Sequence, residues 1–258
     1  MVDKIKIKKF INDKVLEEED FVIKEHRANI YVNGGHYISL MCLPQSMDEL
    51  AVGFLFSEGA IRSYEDVVKL DSDGMGNVYV IVKSDTPEVG KRIITSGFGK
   101  GSVNLPFLNY ERLPKVISPV KISCDDVINM VKSFNLQSGL FQKTGAVHSS
   151  ALVFQDGTNL FYEDIGRHNA IDKIVGKALI ADLCIKEGIL LTSGRISSEI
   201  LIKTAKLGIP VIISISAPTN MAVEIARDIN MTLIGFARGS RFNIYSGDCR
   251  VFNYCNLR

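Results

Sequence analysis

Hydrophobic and polar residues alternate at a period of two through much of roughly the first 110 positions, which predicts a strand-rich segment carrying one helix. "DKIKIKKF" alternates in this way and reads as an edge strand whose lysines face solvent. "ANIYVNGGHYISLMCLP" is two β-rich runs joined across Asn33-Gly34-Gly35, a hairpin signal. "SMDELAVGFLFSEGAI" predicts a helix. Ser46 is its N-cap, Glu49 completes a capping box, Leu50, Phe54 and Leu55 form the apolar face, and Gly59 ends it. "NVYVIVKS" and "KRIITS" are further strand candidates and lead into the glycine loop "ITSGFGKGS".

Pro106, Pro114 and Pro119 punctuate the best linker candidate, so the chain is divided into a strand-rich segment 1–115 and a second unit 116–258. In the second unit the pattern changes. "SCDDVINMVKSFNLQ" is a helix capped by Ser123, and "SSALVFQD" with "NLFYED" is a hairpin around Asp156-Gly157. "NAIDKIVGKALIADLCIKEG" reads as one amphipathic helix ending at Gly188. "ILLTSG", "PVIISISAP" and "TLIGFAR" are strands separated by the helices "ISSEILIKTAKLG" and "TNMAVEIARDIN". This β-α-β-α-β succession implies right-handed crossovers and a largely parallel sheet covered by helices.

Ligands of such sheets bind beyond the carboxyl ends of the strands. There the sequence places Thr192, Ser193, Gly194 and Arg195, then Ser214 to Thr219, then Phe236, Ala237, Arg238, Gly239, Ser240 and Arg241. Small hydroxyls, glycines, helix N-termini and three arginines on adjacent strand ends suit a phosphate or diphosphate.

Composition narrows the class. The 258 residues are 46% hydrophobic and 23% charged with net charge +1, which excludes a disordered chain and argues against broad nucleic-acid binding. No basic segment followed by an apolar stretch opens the chain, and no apolar run approaches ~18 residues, so a soluble cytoplasmic protein is expected. Five scattered cysteines without a C-x-x-C pair fit reduced thiols rather than a disulfide framework or structural zinc. The glycine loop is not a phosphate loop, because Gly101 separates Lys100 from Ser102.

"EDIGRHNAIDKIVGKAL", "SGRISSE", "SAPT" and "GFARGSRFNIY", with "VNG", "DELAVGFLFSEGAI" and "GAVHSSAL" in order, resemble the formate dehydrogenase accessory sulfurtransferases, the FdhD/NarQ family, from about Ala28 to Tyr245. The resemblance implies an α/β fold similar to cytidine deaminases, a layered sheet with flanking helices plus a smaller strand-rich N-terminal subdomain. It implies a cytoplasmic homodimer that takes sulfur from a cysteine desulfurase and passes it to the molybdenum cofactor before insertion into formate dehydrogenase. Phe236 to Arg241, with Ser193, Gly194 and Arg195 beside them, are then expected to hold the bis-molybdopterin guanine dinucleotide form of that cofactor as client. GDP or GTP would serve as a surrogate.

In the family the glycine loop carries the persulfide cysteine, often within C-G-x-C-G. Here Phe98 stands at the first cysteine position and Gly101 at the second. A phenyl ring cannot hold a sulfane sulfur, so no catalytic residue is assigned. Either transfer was lost, or the residue was altered, or another thiol substitutes. Cys42 reads as strand core and Cys184 as packing on an apolar helix face. Cys124 follows an N-cap, but Asp125 and Asp126 oppose a lowered pKa. Cys249 and Cys255 would share one strand face near the C-terminus.

Glu163, Asp164, Arg167 and His168 are either a helix cap with inter-element charge pairs or acid-base groups in contact with a ligand. His148 lacks the glutamate of zinc deaminases, since Ser150 occupies that place and no P-C-x-x-C follows. His26 and His36 read as surface or strand residues. The leading expectation is a molybdenum-cofactor maturation protein for formate dehydrogenase. The alternative is a non-transferring chaperone that binds the guanine dinucleotide cofactor. An enzyme acting on a nucleoside would want a metal triad that the motifs do not supply.

Overall fold

The structure is a computed structural model that describes residues 1–83, 92–94, 102–104 and 113–253. β1 (Val2–Ile11) and β2 (Lys14–Ile23) form an antiparallel ribbon with Lys6 opposite Glu19 and Lys8 opposite Glu17, so the alternating lysines do lie exposed. β3 (His26–Val32) and β4 (Gly35–Cys42) form the expected hairpin. Asn33 and Gly34 both have positive φ, 48° and 84°, which matches the right-handed twist of the flanking strands. After α1 (Met47–Ser57), β5 (Val67–Ser72) and β6 (Asn77–Val82) complete a four-stranded sheet of order β4-β3-β6-β5. Val78, Val80 and Val82 point into its core and Tyr79 and Ile81 away from it.

The helix at Ser46 departs from the expected capping box. Ser46 is in the left-handed region, φ 53°, and its side chain makes no cap bond. That backbone turns the hydroxyl away from the first turn and places it beside Tyr162. The helix is also buried on more than one face, with Ala51, Val52 and Gly53 enclosed along with Leu50, Phe54 and Leu55.

β7 (Arg92–Ile94) and β8 (Ser102–Asn104) pair antiparallel. The glycine-loop residues between them, Phe98 included, lie outside the described residues, as do Pro106 and Cys255. β9 (Ile122–Ser123) leads into α2 (Cys124–Gln137), where Ser123 is the cap as anticipated. Its Oγ accepts from the Asp126 amide at 3.0 Å, and its own amide donates to the Asp126 carboxylate at 3.2 Å. α3 (Gly139–Thr144), β10 (His148–Val153), β11 (Asn159–Asp164) and α4 (Arg167–Ile180) follow. Then come β12 (Ile189–Thr192), α5 (Ser198–Lys206), β13 (Val211–Ser214), α6 (Asn220–Asp228), β14 (Thr232–Arg238), β15 (Arg241–Ser246) and β16 (Val251–Phe252).

The second sheet has the order β11-β10-β12-β13-β14-β15. It is mixed rather than largely parallel, because only β12, β13 and β14 run parallel. β10–β11 and β14–β15 are joined by short turns, which permit only antiparallel neighbours. Two apolar cores fill its faces. Ile171, Ile174, Leu190, Ile200, Ile212 and Leu233 belong to one, and Val127, Val131, Phe134, Leu191, Ile213 and Ile234 to the other. Among the described residues no helix is long and apolar enough to cross a membrane.

α4 is the second departure. It stops at Ile180 instead of Gly188, with Asp182 at φ 49° turning the chain out. It is not amphipathic, since every residue from His168 to Gly176 is buried. The cause is α1, which crosses it backbone to backbone. A Cβ at Gly53 would overlap the Asp172 carbonyl, and one at Gly176 the Glu49 carbonyl. The charges that this burial encloses are paired. Lys173 Nζ lies 2.6 Å from Asp164 Oδ2, and Lys203 Nζ 2.5 Å from Asp172 Oδ1, which also accepts from Ser57 Oγ at 2.7 Å. Gly176→Ala should therefore lower stability by roughly 1–3 kcal/mol, seen as a fall in the urea midpoint. Gly139→Ala is the matched control, because a Cβ there meets nothing.

Candidate functional site at the carboxyl edge of the mixed sheet

β12, β13 and β14 end at the edge where β10 begins and β11 closes, so five loop segments converge there. Most of the hydroxyls expected to meet a ligand are used to close these loops. Thr192 Oγ1 accepts from the Gly194 amide at 3.2 Å, and Ser214 Oγ donates to the Gly194 carbonyl at 2.8 Å. Ser214 Oγ also accepts from the Ser216 amide at 2.9 Å. Ser193 Oγ accepts from the Ser149 amide at 2.9 Å and lies 3.2 Å from His148 Nδ1.

Residues 193–195 and 236–241 meet through the loop that follows β13. Ile196 donates to the Ala217 carbonyl at 3.1 Å and Phe236 to that of Ser216 at 2.9 Å. Arg238 Nε donates to the Ile215 carbonyl at 2.7 Å. Phe236 has φ 51° and an exposed ring, a backbone state that non-glycine residues hold only at a cost. Ala237 is buried beneath it, and Gly239, φ 59°, turns the chain so that Arg238 and Arg241 face each other across the strand pair. Arg195, Arg238, Ser240 and Arg241 are all exposed. Beside them a cavity of about 640 Å³ opens between α2–α3 and the sheet. Val131, Leu136 and Phe141 line it on one side, and Ser149, Ser193, Ile215 and Gly239 on the other.

The segment Glu163 to His168 divides by role. Glu163 accepts from the amides of Leu140 and Phe141 at 3.0 and 2.9 Å and so caps α3. Asp164 is fully buried and accepts from Leu43, Gly166, Asn169 and Lys173. Arg167 is different. Its side chain lies against Gly194, and its Nε and Nη2 are buried without a hydrogen-bond partner among the described residues. Unmet donors of this kind cost roughly 1–3 kcal/mol each. Burial lowers the Arg167 pKa, Arg195 lowers it further, and Glu199 opposes the shift. His168 Nε2 lies 3.1 Å from Glu199 Oε2. Burial still depresses His168 below the ordinary histidine value, with Lys203 and Arg167 adding to that and Glu199 opposing it. Burial and Arg167 depress His148 likewise. The sequence signal for Arg167 was its place just inside a helix start, which a capping role explained equally well.

The described thiols other than Cys42 lie away from this edge. Cys42 lies near it, beside Leu43 and Asp164, but it is buried, and burial with Asp164 pushes its pKa to about 11. Cys184 is in the turn after α4 and exposed, not on an apolar helix face, because α4 has already ended. Cys249 is in a 3-10 turn at Asp248–Arg250 rather than on a strand face. Burial and Asp125 raise the pKa of Cys124. Cys124, Cys184 and Cys249 all sit at the amino end of the parallel strands, which the seven residues of β14 put roughly 20 Å from the carboxyl edge.

Architecture and edge together define a layered α/β protein with a mixed six-stranded sheet and a cationic, glycine-rich carboxyl edge. The FdhD/NarQ family model matches residues 23–252, and the chain belongs to that family. It is 38% identical over 264 residues to a protein of Wolinella succinogenes named sulfur carrier protein FdhD, with 97% of this chain and 89% of that one covered. A protein of the same name from Bacillus pumilus is 41% identical over 238 residues, 90% of each chain. The fold is also that of a crystal structure described as a candidate formate dehydrogenase accessory protein from Desulfotalea psychrophila. The TM-score is 0.84 at 24% identity, with 97% of this chain and 99% of that one covered.

Both depressed histidines bind protons more weakly folded than unfolded. Their contribution is fully present above the ordinary value of 6.5 and is lost as pH falls below it, toward the folded pKa. Urea midpoints measured from about pH 7 down to about 5.5 should therefore decline. His168→Gln and His148→Gln should each flatten that decline.

Proposed function

We propose that this protein acts in the maturation of formate dehydrogenase by holding the guanine dinucleotide form of the molybdenum cofactor at the carboxyl edge of its mixed sheet. Ser193, Gly194, Arg195 and residues 236–241 would hold the client, with GDP or GTP as surrogates. The observation that carries the reading is cationic: Arg195, Arg238 and Arg241 stand exposed beside a cavity whose far wall is apolar. A ligand with anionic phosphates and flat rings suits both surfaces. The names borne by the relatives, sulfur carrier and formate dehydrogenase accessory protein, support it. A cytosolic homodimer that meets a cysteine desulfurase and a formate dehydrogenase completes the reading.

The sulfur step needs a thiolate that attacks the sulfane sulfur of a donor persulfide while the donor thiolate leaves. Phe98 provides none, and the exposed described thiols lie at the opposite edge of the sheet. That separation favours a second reading, a holder of the cofactor that performs no transfer.

Titration with GDP tests the first reading. Arg238→Ala should weaken binding by roughly 1.5–3 kcal/mol, the loss of a charged hydrogen bond. Unchanged affinity removes Arg238 from the site. Persulfide loading of wild type separates the two readings, and Phe98→Cys tests whether the loss is confined to the loop. Incubated with a cysteine desulfurase and cysteine, the variant should gain sulfur on that residue by intact mass and restore formate dehydrogenase activity in cells lacking their own accessory protein. If wild type already gains sulfur on a mapped cysteine, the second reading fails.

A further inference from the structure

Among the described residues β1 pairs only with β2, so its outer edge presents unbonded amides and carbonyls along its ten residues. The pairing runs without a bulge from Val2 opposite Ile23 to Ile11 opposite Lys14, and β1 contains no proline. Bulges and prolines are the usual means of blunting an edge strand, and a two-stranded ribbon is marginal without further cover. The lysines of β1 are the remaining guard. They repel another β1 laid beside it but admit a strand of opposite charge.

The side chains specify what such a strand must carry. Lys4, Lys6 and Lys8 share one face of β1, and Ile5, Ile7 and Ile11 the other. β2 does not complete the apolar face, because it sets Asp20 opposite Ile5 and Glu18 opposite Ile7. Ile5 and Ile11 are left 44% and 41% exposed. Nor does β2 use up the basic face. Lys4 pairs with Glu19 at 3.4 Å, whereas Lys6 and Lys8 form no ion pair among the described residues. Two other occupants suit the edge less well. A second copy would offer its own β2, whose acids would again meet Ile5 and Ile7, in a head-to-tail contact that does not close. An anionic lipid surface would meet Glu17, Glu18, Glu19 and Asp20 beside the lysines.

We propose that the outer edge of β1 is a docking strand for an extended segment of a partner protein, one that alternates acidic and apolar residues and joins the ribbon as a third strand. Its acids would lie beside Lys6 and Lys8, and its apolar side chains beside Ile5 and Ile7. Lys143 Nζ, on α3, stands 4.0 Å over the Phe21 ring, which fastens the ribbon to the helix whose Phe141 and Gln142 line the cavity. A partner docked on β1 is thereby tied to a wall of that cavity, whatever the cavity binds.

The test is fluorescence anisotropy of the full chain with a labelled peptide that alternates glutamate and valine. The controls are a peptide of the same composition with its glutamates in one block and a peptide that alternates lysine and valine. The alternating acidic peptide should bind wild type, weaken as salt rises, and slow amide exchange within residues 2–11. The lysine peptide should not bind. Lys6→Glu combined with Lys8→Glu should weaken the acidic peptide at least about tenfold, and both positions are exposed, so the variant keeps its fold. Equal binding of the block peptide overturns the docking strand, as does binding that the charge reversal leaves unchanged, or no binding at all. Sedimentation of the protein alone reads the second copy, and self-association abolished by the same variant assigns the edge to another copy and overturns the proposal. Flotation with anionic vesicles that the variant abolishes assigns it to lipid, with the same consequence.

Discussion

The backbone crossing of α1 and α4 is the constraint on which the rest of the structure depends. Gly53 and Gly176 let the two helices approach until a methyl group would collide with the opposing carbonyl. That approach encloses α4 and takes Asp164, Asp172, Lys173 and Lys203 out of water. Enclosed charges of this kind are tolerated only as hydrogen-bonded pairs, and removing one partner costs about 3–5 kcal/mol. Asp164 meets this condition with four donors, one of them the Leu43 amide from the end of the first sheet. The small sheet is thereby tied to the place where α4 starts.

The start of α4 sets the chemistry of the edge. Arg167 and His168 are its first two residues, and both are carried to the carboxyl ends of β12–β14 by the crossing below them. Around them the hydroxyls of Thr192, Ser193 and Ser214 are consumed in holding the loops. The donors left over are mainly the guanidinium nitrogens, so the edge favours anions. Of the described thiols, Cys184 and Cys249 are elsewhere, because the turns after α4 and β15 fall at the other end of the strands.

Several features were legible in the sequence because they depend on neighbours a few residues away. Asn33-Gly34 can only close a tight hairpin of the observed kind, Ser123 and Asp126 satisfy each other within one turn, and the glycines and hydroxyls after each strand mark the loops of the edge. Position 98 belongs to this class too, since the absence of a thiol there is a covalent fact. The order of strands and helices, and with it the edge at which motifs separated by some ninety residues meet, followed from the same local signals.

What only the tertiary structure decided involves partners far along the chain. Ser46 reads as a capping serine until the fold holds it in the left-handed region, where its side chain makes no cap bond. The α4 segment reads as amphipathic because lysines and aspartates look solvated when their counter-charges lie 9 and 31 residues away. The sheet reads as parallel because a short turn and a crossover differ less in pattern than in consequence. Arg167 reads as a cap residue, since nothing local reveals that its Nε and Nη2 are buried without a hydrogen-bond partner among the described residues. Periodicity and turn chemistry act within a few residues and are written in order along the chain. Burial and its electrostatic compensation are summed over whatever the fold brings into contact.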